Sequence, residues 1–169
     1  DVYKRQAEKL ESMIKAILSK DKESVIIVTS DHGELLGEYG ALEHSALLTR
    51  ELFYVPFFIN LPLKGNGVIP LVNIPNFVTG VVEGNVDPTS LISEIAYSES
   101  FGIVNPLWRK IATEEIRRFL DVRRTAVVSK NAYMIYNHSA KELEEVWGKD
   151  TRKLSQIEEK LKNYVDFLE

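Results

Sequence analysis

The chain contains no cysteine, which removes disulfide frameworks, thiolate metal sites and cysteine nucleophiles and leaves the redox compartment open. No apolar run approaches the roughly 18 residues that a membrane-spanning helix needs, and the first six residues are charged rather than signal-like. An excess of one charge sign is missing too: 21 Lys and Arg stand against 25 Asp and Glu, a net charge of -4. That balance gives no electrostatic case for a nucleic-acid partner. Internal repeats and low-complexity stretches are also absent. What is there is a 169-residue chain with 44% hydrophobic and 27% charged residues, near globular averages and long enough to bury a core without disulfides. These features predict a soluble chain without a membrane segment, cytoplasmic or secreted.

The apolar rhythm Ala7, Leu10, Met13, Ile14, Ile17, Leu18 predicts an amphipathic helix over residues 7–20. After the polar turn at 21–23, Val25-Ile26-Ile27-Val28 is apolar and β-branched at every position, the pattern of a strand buried on both faces. A helix followed by such a strand suggests a parallel α/β sheet. A second apolar run, Val55-Pro56-Phe57-Phe58-Ile59, reads as another strand, and residues 74–82 read as a short helix opened by Pro75. Beyond Gly84 the texture changes to short strands over 95–98, 125–129 and 132–136, with a helix over 113–120 and a terminal helix over 152–168. Lys130-Asn131 falls at the turn of an antiparallel hairpin.

Chemistry concentrates where the first strand ends. Asp31 and His32 stand where a strand emerges into a loop containing Gly33, Gly37 and Gly40, and ligands of open α/β sheets bind outside the carboxyl ends of strands. A carboxylate beside an imidazole can bind one divalent cation, and Gly33 lets the chain turn behind them. The same Asp-His-Gly triplet also serves as a turn or cap. His44 follows twelve residues after His32, as a third ligand or as a donor to an anionic substrate oxygen.

The string Ile27-Val28-Thr29-Ser30-Asp31-His32-Gly33-Glu34-Leu35-Leu36-Gly37-Glu38, then a glycine and His44, closely resembles the sulfatase family of the alkaline-phosphatase-like superfamily. The resemblance implies that Asp31 and His32 are metal ligands. It places His44 where relatives carry a histidine that contacts substrate or a second metal, so His44 is the candidate catalytic and substrate-binding residue. The helix over 7–20 and the run Val55-Pro56-Phe57-Phe58-Ile59 resemble further family elements. Residues 70–80 resemble a degraded Asp-Ile-x-Pro-Thr segment, with Asn73 in place of the Asp and Pro75 matching the Pro. Residues 124–136 loosely resemble the family's C-terminal hairpin. No Cys/Ser-x-Pro-x-Arg nucleophile motif is found.

The implied fold is α/β: part of an alkaline-phosphatase-like, mostly parallel sheet with flanking helices, followed by a small antiparallel hairpin and a C-terminal helix. Residues 1–6 are expected to be a non-native leader, 7–85 the C-terminal part of the catalytic domain, and 86–169 a C-terminal subdomain. The parent protein is expected to be a metal-dependent sulfuric ester hydrolase, of which this chain is a fragment without the nucleophile, inactive alone. The substrate would be a small-molecule or glycan sulfate or phosphate ester. Phosphoester cleavage or phosphoethanolamine-type transfer is the alternative within the superfamily, and a non-catalytic binding module the alternative of another class. One divalent ion is implied: mixed oxygen and nitrogen donors suit Mn²⁺ or Zn²⁺, and relatives with calcium keep Ca²⁺ in the set. Elsewhere, Trp108 and Trp147 read as packing anchors, His138 as a surface residue at a hairpin end, and the basic residues between 109 and 124 as a solvated face.

Overall fold

The computed structural model describes residues 2–44 and 46–168. It is a mixed α/β structure in which every strand pairing among the described residues is antiparallel. The chain divides into two compact units, Asp1–Ser30 with Pro56–Pro62, and Asp31–Val55 with Leu63–Glu169.

In the first unit, α1 (Val2–Lys20) takes in residues 2–6, expected as a leader, as its opening turns. Its Leu10, Ile14 and Leu18 are half-buried, while Met13 and Ile17 on the same apolar rhythm are exposed. Asp21 ends the helix by accepting from the Glu23 backbone N–H and the Ser24 hydroxyl, each at 2.9 Å, and the bond to the Glu23 N–H, followed by that from Ser24, holds its carboxyl below the usual range. Strand β1 (Ile27–Thr29) pairs with β4 (Phe57–Ile59), Val28 opposite Phe58. The Asn60 amide clamps the open end, accepting from the Ile26 N–H at 2.7 Å and donating to the Ser24 carbonyl at 2.8 Å.

This corrects the expected interior strand of a mostly parallel sheet. β1 is a half-buried edge strand of an antiparallel pair, and Val25 and Ile26 precede it outside the ladder. An apolar run records how much surface a strand can bury, but neither its partner nor that partner's direction.

The second unit is organised by one four-stranded sheet, β5 (Ala96–Ser100), β6 (Arg124–Ser129), β7 (Ala132–Asn137) and β8 (Glu142–Gly148), in that spatial order. The expected hairpin is its centre, with Ser129 opposite Ala132 and Lys130-Asn131 as the turn. Side chains alternate between two cores. On one face Val127, Ala132 and Met134 pack against Ile157, Leu161 and Val165 of α6 (Thr151–Leu168). On the other, Ala126, Val128, Tyr133 and Ile135 pack with Leu48 and Phe53, so the segment carrying His44 leads directly onto this sheet. Asp150 caps α6, its Oδ1 accepting from the N–H groups of Arg152 and Lys153 at 3.0 and 3.1 Å.

In the same unit, α3 (Ile74–Val82) begins with Pro75 in its first turn, as expected. Asn73 donates to the Leu91 carbonyl and the Ser93 hydroxyl at 3.1 and 3.0 Å, fixing the turn before α3. Helices α4 (Pro106–Ile111) and α5 (Glu114–Leu120) follow, the latter capped by Thr113. Trp108 is 62% exposed and so is not a packing anchor. Trp147 stacks on Tyr133 with ring centroids 5.7 Å apart. Of the basic residues expected on a solvated face, Arg124 is instead buried in a bidentate pair with Glu144.

Candidate functional site

The site is built on a short ribbon. Strands β2 (Leu35–Leu36) and β3 (Leu42–Glu43) pair antiparallel, Leu35 opposite Glu43 and Leu36 opposite Leu42. Gly37 and Gly40 make the reversal, at φ 125° and 68°, where a side chain is strained and glycine is not. One residue beyond the ladder on each strand, the same register brings Glu34 opposite His44. Glu34 Oε1 lies 2.8 Å from His44 Nδ1. An ionised carboxylate only accepts, so Nδ1 carries the proton and Nε2 is turned away from Glu34.

Gly33 is required for a reason different from the expected sharp turn. A Cβ there would lie 1.8 Å from the Glu51 carbonyl oxygen, because the Gly33 N–H donates to the Leu52 carbonyl at 2.9 Å. The close approach ties the start of the loop to α2 (Arg50–Phe53). Its far end is held by Ala46, whose carbonyl accepts from the Ser100 hydroxyl at 2.9 Å. Leu35, Leu47 and Leu52 form the buried cluster beneath it.

His32 stacks on His44, with ring centroids 3.9 Å apart and planes inclined by 29°. Its Nδ1 is 2.8 Å from the Gly33 carbonyl oxygen, an acceptor that fixes the proton on Nδ1 and presents Nε2. Metal-binding histidines are commonly held this way, by a backbone carbonyl on the other ring nitrogen. Asp31 is highly exposed; its Oδ1 accepts from the His32 N–H at 3.1 Å, and its Oδ2 stands 3.7 Å from His32 Nε2. One ligand atom each from His32, Glu34 and His44 lies within 4.8 Å of the others.

The structure therefore gathers all three residues singled out in the sequence on one loop and adds Glu34. The tightest potential ligand group is His32, Glu34 and His44, with Asp31 beside His32 rather than inside it. Two imidazoles and a carboxylate form a donor set that suits Mn²⁺ or Zn²⁺. Glu34 was missed because strand register, not spacing from His32, selects it. The signal was there in a ribbon reversing at Gly37 and Gly40, which sets residue 34 across from 44.

The third histidine, His138, is half-buried at the end of β7, where its Nε2 lies 2.9 Å from the Thr125 hydroxyl. Among the described residues no helix is long and apolar enough to cross a membrane. Comparison with protein-family models, curated proteins and solved structures finds no match.

Proposed function

We propose that this chain is the C-terminal part of a metal-dependent sulfuric ester hydrolase of the alkaline-phosphatase-like superfamily, and contributes one side of its active site. The observation that carries the reading is the meeting of His32, Glu34 and His44 at the exit of β1, with Asp31 alongside. Asp31, His32 and Glu34 are the groups that would hold a divalent cation. When bound, the cation supplies Lewis acidity toward a sulfate oxygen and offsets its negative charge. The chain's own chemistry then rests on His44. Glu34 accepts from the His44 Nδ1–H and orients the ring, so that Nε2 is the atom set to exchange a proton with a substrate oxygen or the leaving alcohol. The nucleophile belongs in this reading to residues outside the present sequence.

The test is titration of Mn²⁺ into the chain with ¹⁵N-labelled histidine. Selective broadening of the His32 and His44 imidazole signals, with His138 unaffected, is the expected result. His32→Ala should weaken binding by about tenfold or more. Equal broadening of all three histidines, or wild-type affinity in His32→Ala, would overturn the proposal.

A further inference from the structure

The ribbon carries a second pair of side chains beside the first. Because strand residues alternate between faces, Leu36 and Leu42 lie on the face that bears Glu34 and His44, while Leu35 points the other way and is 1% exposed. Leu36 and Leu42 are opposite one another and are 71% and 70% exposed. Two residues of strand separate the two pairs, about 7 Å at the usual rise. One face thus presents a carboxylate–imidazole pair and, one step along, an apolar pair open to solvent.

Two leucine side chains provide a small fraction of the roughly 800 Å² per partner that a specific protein interface buries. They do match an alkyl group a few carbons long. The apolar pair is also continuous with the candidate site, so a molecule anchored at His44 by its charged end must run across it or away from it.

We infer that Leu36 and Leu42 receive the organic part of the substrate, and that this substrate is the sulfate ester of a hydrophobic alcohol rather than of a sugar. The inference rests on the proposed hydrolase reading and names its substrate class. A sulfate group seated at the candidate site beside His44 leaves the first carbons of the alcohol within reach of the leucine pair. Burial of those carbons contributes in proportion to the apolar area removed from water, and the hydroxyls of a sugar in the same position would lose hydrogen bonds to water without replacement.

The experiment measures binding of hexyl sulfate, glucose 6-sulfate and inorganic sulfate to the Zn²⁺-loaded 169-residue chain by NMR titration. Hexyl sulfate should bind at least about tenfold more tightly than glucose 6-sulfate, which has the same charge. In the double variant Leu36→Thr, Leu42→Thr, which keeps strand-forming residues at both positions, the two should bind within about twofold of each other, with inorganic sulfate unchanged. Each single variant should lose part of the preference, which guards against misfolding of the double variant. Equal binding of the two organic sulfates by the wild type, or a preference that survives the double substitution, overturns the inference. If inorganic sulfate does not bind, or binds His44→Ala equally well, the hydrolase reading fails and the inference fails with it. If inorganic sulfate binds through His44 and only the preference is missing, the inference alone fails.

Discussion

Strands β1 and β6 are both rich in β-branched residues, yet they end in different environments. All six residues of β6 are buried, whereas Ile27 and Val28 of β1 are half-buried and Thr29 is exposed. β6 has a partner strand on each side, α6 on one face and the segment around Leu48 and Phe53 on the other. Among the described residues β1 has a single partner strand, and Phe58 opposite Val28 is 49% exposed. Burial therefore follows the number of layers laid against a strand, not its apolar content alone. An isolated two-stranded pair is marginal in water.

The largest effect should come from the finished core. Ile157→Ala, at a fully buried α6 position, should cost about 2–5 kcal/mol in chemical denaturation. Gly33→Ala should come next, at about 1–3 kcal/mol, because the new methyl meets the Glu51 carbonyl and the backbone must move. The same variant should lose selective Mn²⁺ broadening of His32 and His44. Val28→Ala in the half-buried β1 should cost about 1 kcal/mol or less. A cost equal to that of Ile157→Ala would break the comparison.

A pH dependence sharpens it further. Burial pushes the Glu99 carboxyl up, but hydrogen bonds from Arg123, Tyr164 and Thr125, with the Arg123 charge, outweigh burial and hold it below the usual range. A carboxyl lowered in the folded state contributes its stability above the unfolded value, roughly 4.3 for glutamate, and loses it as pH falls through the folded value. The melting temperature should therefore drop on the acid side of that window, and Glu99→Gln should flatten the drop. An unchanged acid limb in Glu99→Gln would remove Glu99 as its source.

The periodic elements were legible in the sequence. Ile157, Leu161 and Val165 announce α6, and Lys130-Asn131 announces the turn between β6 and β7. β8 was not legible, because Glu142, Glu144 and Glu145 interrupt its apolar alternation and it lies at a sheet edge. Its pairing depends on contacts such as Glu144 with Arg124 and Trp147 with Tyr133, which no local pattern reports. α4 was missed because its apolar residues Leu107, Trp108 and Ile111 are exposed, leaving the Asn105 cap as its main signal. At the site, Asp31, His32 and His44 were found from residue type and spacing. Glu34 required the register of the ribbon, and the direction of β1's partner required the sheet itself.

The loop bearing the histidines is fastened at Gly33 to Leu52 and at Ala46 to Ser100, and it continues into Leu48 and Phe53 on the face of the four-stranded sheet. This attachment makes the site and the sheet thermodynamically reciprocal. Any ion that engages Asp31, His32 and Glu34 only in their folded arrangement draws the unfolding equilibrium of the sheet toward the native side. At a free concentration one hundred times its dissociation constant the shift is about 2.7 kcal/mol. Occupancy of the loop can then be read from the melting of strands that contribute no ligand to it.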